Sequence, residues 1–113
     1  MSSIQILSKK THKVLEQLNN NQVKLKGDSV VIIKASEQDV ISIERVGNNA
    51  IITLKNGEKI TIENYFNDQN NNSLVFDDQN KLSVAHFSDL NNVSLDTVQY
   101  QSVDNVEPLL YSD

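Results

Sequence analysis

The feature that most restricts this chain is a set of three short stretches between residues 40 and 66, separated by Gly47-Asn48-Asn49 and Asn56-Gly57. Val40–Val46, Ala50–Lys55 and Glu58–Phe66 are rich in β-branched residues and largely alternate apolar with polar side chains. That is the period of a half-buried strand, whose successive side chains point to opposite faces. Gly-Asn and Asn-Gly steps between such stretches make hairpin turns, because both residues reach positive φ at little cost. The segment is therefore expected to form a three-stranded meander.

The register of that meander follows from the requirement that apolar side chains of neighbouring strands share a face. A two-residue Asn56-Gly57 loop would set Leu54 opposite Lys59 and Ile52 opposite Thr61, dividing the apolar groups. A three-residue loop, Lys55-Asn56-Gly57, sets Leu54 opposite Glu58, Ile52 opposite Ile60 and Ala50 opposite Ile62, and needs Gly57 in the left-handed region. Upstream, an Asn48-Asn49 turn would place Ile43 opposite Leu54 and bring Ile41 and Ile43 to the same face.

Around the meander, Ser29–Ala35 (SVVIIKA) reads as a strand buried on both faces, with Leu74–Phe76, Leu82–Phe87 and a weakly alternating Val93–Val103 as further strands. Near the N-terminus, IQIL and KVLEQL read as two short strands joined by a turn. The alternative is a helix through Ile4, Leu7, Val14, Leu15 and Leu18. The expected fold is all-β: an antiparallel β-sandwich or partly open barrel built around the meander at about 40–66. Residues 1–106 would form a single β domain, and 107–113, with the one proline, a tail or the start of a linker.

A chain of 113 residues is large enough for one core. Its 10 Lys and Arg against 15 Asp and Glu leave a net charge of -5, which repels a phosphate backbone, so nucleic acid is not an expected partner. No stretch approaches the roughly 20 apolar residues of a membrane helix, and the first residues lack the layout of a cleavable secretory signal. No direct membrane insertion is expected. The absence of cysteine excludes disulfides, thiolate metal sites and cysteine nucleophiles. By default it suits a cytosolic domain; together with the absence of tryptophan and the many Asn, Gln, Ser and Thr, it also suits a protein that crosses envelopes unfolded and refolds outside.

Candidate chemistry is thin. His12 and His86 have no partner at metal-ligand spacing and read as surface or core fillers. Asp68, Asn70 and Asn72 alternate like the opening of a calcium loop, but Ser73 stands where glycine is required and Gln79 where the closing glutamate belongs, so a solvated loop is expected. Asp77 and Asp78, adjacent on a strand, point to opposite faces and cannot converge on one bond. The expectation is no enzyme, no catalytic, cofactor-binding or metal site, no cofactor and no small-molecule substrate. SVVII and AIITL have the traits of aggregation-prone windows, with Lys34 and Lys55 following them as gatekeepers. They read as core strands or, alternatively, as an exposed edge through which copies pair.

VGNNAIITLKNGEKITIENYF, Val46–Phe66, followed by SLVFDD, Ser73–Asp78, resembles the prefix-like domain at the N-terminus of Bap-type bacterial biofilm-associated proteins. DSVVIIKASEQDVISI, Asp28–Ile43, fits the same pattern, and the GNN turn, NGE turn, ITI and NYF in that order carry the likeness. Where many members have a tryptophan pair before the last aromatic, this chain has KLSVAHF, Lys81–Phe87. The resemblance implies the N-terminal retention or anchoring module of a very long cell-surface adhesin, active in biofilm formation and cell adhesion. It implies export by a type I system with its signal at the far C-terminus. The implied partners are proteins, the outer-membrane secretion pore and downstream adhesin repeats; a second copy of the chain is a partner only on the alternative reading of SVVII and AIITL as an exposed edge. Related modules are released by a protease at a paired alanine, and no adjacent alanines occur here.

Overall fold

The meander forms most of one sheet in the computed structural model, which describes residues 3–18, 21–67 and 71–110. Along those residues run β1 (Ile4–Ser8), β2 (Val14–Leu18), β3 (Gln22–Lys24), β4 (Ser29–Ile33), β5 (Val40–Val46), β6 (Asn49–Leu54), β7 (Lys59–Glu63), β8 (Ser73–Asp78), β9 (Lys81–Phe87) and β10 (Val98–Val103). A 3₁₀ turn, Glu37–Asp39, precedes β5, and a one-turn helix, α1 (Glu107–Leu110), follows β10. The strands make a six-stranded sheet in the order β10-β9-β8-β4-β1-β2 and a four-stranded sheet in the order β3-β7-β6-β5.

The β6–β7 register is the one the apolar pattern requires. Ala50 faces Ile62 and Ile52 faces Ile60, Leu54 N–H donates to the Glu58 carbonyl at 2.8 Å, and Gly57 has φ +88. The upstream turn differs from expectation. It is Gly47-Asn48, with Gly47 at φ +62, so Val46 pairs with Asn49 and Ile43 with Ile52 instead of Leu54. A two-residue slip keeps every side chain on its face, which is why the apolar pattern does not detect it. Ile41 also departs: a bulge between Val40 and Ser42 changes the phase, burying Val40 and leaving Ile41 50% exposed.

The architecture is a sandwich of two open sheets rather than a barrel, and the sheets are mixed. β4 pairs with β8 in parallel, and so does β3 with β7. β4 and β8 are separated in sequence by the whole meander, which lies in the other layer, so the chain returns to the first sheet by a crossover and not by a hairpin. The N-terminal stretches IQIL and KVLEQL are strands, β1 and β2, antiparallel to one another. β4 lies between β1 and β8 with all five residues buried.

Two apolar clusters hold the layers. Between the sheets pack Ile4, Ile6, Val31, Ile33, Leu74 and Phe76 from one side and Ile43, Ala50, Ile52, Ile60 and Ile62 from the other. On the outer face of the six-stranded sheet, Val30, Ile32, Val75 and Val84 form a second cluster covered by Val106, Leu109 and Leu110. The Glu107–Leu110 stretch, expected as a tail, thus packs on the domain as α1.

Candidate functional site

The residues singled out in the sequence do not converge. His12 sits in the β1–β2 turn at φ +61, its N–H donating to the Ser8 carbonyl at 2.8 Å. His86, on β9, meets the Gln101 side chain at 2.9 Å. Asp77 is buried, pairs with Lys34 and accepts from the Asn80 N–H at 2.9 Å, while its neighbour Asp78 is exposed. Of the calcium-like trio, Asp68 and Asn70 lie outside the described residues. Asn72 has a structural role: its Oδ1 accepts from the Ser29 N–H and its Nδ2 donates to the Tyr65 carbonyl, both at 2.9 Å. Among the described residues no group of three His, Cys, Asp or Glu is placed to hold a metal ion, and no helix is long and apolar enough to cross a membrane.

One end of the sandwich is closed by aromatic rings. Asn64 at φ +67 interrupts strand alternation, so the consecutive Tyr65 and Phe66 are both buried instead of pointing apart. The turn that starts β6 holds this corner. Asn49 Oδ1 accepts from the Asn64 N–H at 3.2 Å, and the Asn48 carbonyl from the Phe66 N–H at 2.9 Å. The GNN turn and the NYF segment are therefore one structural unit. Phe66 stacks edge-on with Tyr65 and Phe87, centroids 4.9 and 5.5 Å apart, and Arg45 lies over its ring at 5.3 Å. A 410 Å³ groove opens beside this cluster, lined by Asn67, Asn72, His86 and Leu90 among others.

A second groove, of 680 Å³, runs between the 3₁₀ turn and the β8–β9–β10 end, with Glu37, Asp78, Tyr100 and Asp104 on its walls. Glu37 Oε2 and Tyr100 Oη are both buried there without a hydrogen-bond partner. Burial, and secondarily the Glu37 charge, raise the Tyr100 pKa above its ordinary value.

Charge is strongly segregated along the chain. Residues 1–34 carry six Lys and two acidic side chains, net +4, whereas residues 35–113 carry four cations and thirteen acids, net -9. SVVII and AIITL are not edges: they lie in β4 and β6, each with a neighbour on both sides. The edges are β2 and β10 in one sheet and β3 and β5 in the other. Sequence hydrophobicity points to central strands, which are covered on both faces, and so misses the edges; the uneven charge was the signal available for them.

The family model described as "BapA, prefix-like domain" matches residues 1–113. No curated protein and no solved structure matches the chain.

Proposed function

The chain belongs to the BapA prefix-like domain family, and we propose that it is the N-terminal anchoring module of a large type I-secreted cell-surface adhesin acting in biofilm formation and cell adhesion. The observation that carries this reading is the folded body itself, with extents of 33 × 31 × 25 Å. Strands lie only about 4.8 Å apart within a sheet, and sheets about 10 Å apart. A conduit sized for an extended chain is narrower than this domain in every orientation. Type I export sends the C-terminal end out first, so this module arrives last, folds, and retains the adhesin at the outer membrane while the downstream repeats stand outside.

In that role the domain needs resistance to unfolding, not a reacting group, and it works without catalysis, metal or cofactor. The described residues suit such a role, since the apolar cluster between the sheets is closed on both sides and α1 covers the second cluster. Deleting residues 1–113 from the full-length gene is expected to shed adhesin into the medium. A core variant that folds less stably, Ile52→Ala, is expected to leak part of it. Surface levels unchanged by the deletion would overturn the proposal, and leakage from the deletion but not from Ile52→Ala would overturn the mechanism by bulk.

A further inference from the structure

Two of the four sheet edges are blunted against pairing. β3 has three residues, and its Gln22 and Lys24 are exposed. β5 is bulged at Val40–Ser42, and its Arg45 donates to the Leu90 carbonyl at 2.9 Å. Short length, charge and bulges are the usual protection of an edge.

β10 pairs with β9 along six residues without a register shift. β2 is irregular at Leu15, since Ile6 pairs with Glu16 and Leu7 with Val14, yet this edge turns two apolar side chains outward. The two strands are the opposite ends of one six-stranded sheet. β2 leaves Val14 51% and Leu15 57% exposed, follows the exposed Lys10 and Lys13, and lies where Leu15 shares a shallow groove with Lys24 and Lys26. β10 is bracketed by the exposed Asp96 and Asp104, and its Tyr100 and Ser102 line a groove in which the acids Glu37, Asp78 and Asp104 outnumber the one cation, Lys81. In that groove Glu37 Oε2 and Tyr100 Oη have no partner. An open strand beside a groove of net negative charge suits an extended segment flanked by ammonium groups. Such a segment, of similar length, stands at the far edge of the same sheet: β2 has five residues and β10 six. Although β2 itself carries only the acid Glu16, Lys10 and Lys13 stand in the turn directly before it.

We propose that copies of this domain associate head to tail, the β2 edge of one adding to the β10 edge of the next and its lysines entering the acidic groove beside Tyr100. The contact is heterologous, since each copy uses a different surface toward each neighbour, and a free β2 and a free β10 remain at the two ends of every assembly. Assembly therefore continues past a pair. This surface is independent of the anchoring proposal, because neither the pore nor the downstream chain takes part in it.

The test is sedimentation velocity of the 113-residue chain from about 1 µM to about 1 mM, a range that spans weak to moderate association. The wild type is expected to rise in mean mass beyond twice the monomer and to fall back as salt shortens the reach of the charges. Lys10→Glu with Lys13→Glu makes both edges acidic, and Asp96→Lys with Asp104→Lys makes both basic. Each variant alone is expected to remain monomeric, and an equal mixture of the two to associate again. Far-UV circular dichroism confirms that each variant is folded; if one is not, Lys13→Gln and Asp104→Asn replace the reversals, each expected to weaken association several-fold. A monomeric wild type at every concentration overturns the proposal, as does a species that stops at a closed pair. So does a mixture of folded reversal variants that stays monomeric. Capture at β10 of an added lysine-rich extended peptide, without self-association of the chain, assigns the groove to another partner and equally overturns it.

Discussion

The side-chain oxygen of Asn72 accepts a hydrogen bond from the backbone N–H of Ser29, 2.9 Å away and 43 residues earlier in the chain. The same amide donates to the Tyr65 carbonyl at 2.9 Å. One side chain thus ties the start of β4 to the corner after β7, immediately before β8 enters beside β4 as its parallel neighbour. Asn72→Ala strips a partner from two partly buried backbone groups and is expected to destabilise the domain by about 1–3 kcal/mol, measured by denaturant unfolding. Its oxygen already holds the Ser29 N–H, so a calcium ion at Asn72 would compete with this structural bond. Calcium at about 5 mM, above the ~1 mM range of weak extracellular sites, is expected to leave the melting temperature unchanged. A calcium-dependent rise would show a native-state site.

Gly57 and Gly27 make a matched pair of tests. A Cβ at either would meet nothing within 4 Å, but Gly57 sits at φ +88 whereas Gly27 is outside the left-handed range. Gly57→Ala is expected to cost about 1–2 kcal/mol through the backbone alone, with Gly57→Asn milder because Asn tolerates that region. Gly27→Ala is expected to be neutral or to stabilise by up to about 1 kcal/mol, since it only restricts the unfolded chain. Equal losses at both positions in a thermal melt would show that space, not φ, decides.

The contrast between these turns shows what was legible in the sequence. At Gly57 the turn residue and the facing apolar pairs demand one register, and β6–β7 adopts it. At Gly47-Asn48 a slip by two residues satisfies the same faces, so only the turn chemistry could decide. Ile41 was misplaced because a bulge leaves no trace in apolar alternation, and β3 was missed because three residues carry too little pattern to register. The meeting of Glu37 with Tyr100 depends on the crossover from one sheet to the other, which no local motif records. The charge division between residues 1–34 and the rest was readable from the start. Its importance emerges once β2 and β10 are known to be edges.

Alkaline pH is expected to unfold the domain through its tyrosines. Burial raises the Tyr65 hydroxyl far above the ordinary value of 10.0, and Tyr100 is raised by burial and by the Glu37 charge. The folded chain therefore holds its phenol protons more tightly than the unfolded chain. The stability this contributes is complete below about pH 10 and is lost as the pH climbs through and beyond that value. Tyrosinate absorbance is expected to appear together with loss of the far-UV strand signal, and Tyr65→Phe to move the alkaline midpoint upward. A full tyrosinate signal from a chain that stays folded would contradict the burial.

Lys9 acts in the opposite sense. It is 8% exposed, its Nζ has no hydrogen-bond partner, and burial lowers its pKa from 10.5 despite the opposing effect of Asp28. The unfolded chain then binds this proton more readily than the folded one, so Lys9 opposes folding at neutral pH and the penalty fades as pH rises toward 10.5. Lys9→Met keeps the stem and removes the charge, and is expected to stabilise by about 1 kcal/mol at neutral pH. The advantage over wild type should shrink in denaturant titrations at higher pH. A constant difference across pH would show that packing, not charge, produced it.

α1 offers the last test, because a helix of four residues has no stability of its own and forms only where tertiary packing supplies it. Here the packing is Val106, Leu109 and Leu110 against Val30, Ile32, Val75 and Val84 on the outer face of the six-stranded sheet. Leu109→Ser with Leu110→Ser removes most of that apolar contact, and is expected to cost about 1–3 kcal/mol because both leucines are only partly buried. The cluster between the sheets draws nothing from α1, so the strand signal should persist while the outer face becomes accessible. Binding of a hydrophobic dye and faster amide exchange at α1 and the adjoining β4, with unchanged far-UV circular dichroism, is the expected combination. Loss of the strand signal in the double variant would instead make α1 part of the single cooperative unit, and the two apolar clusters would then have to be treated as one core.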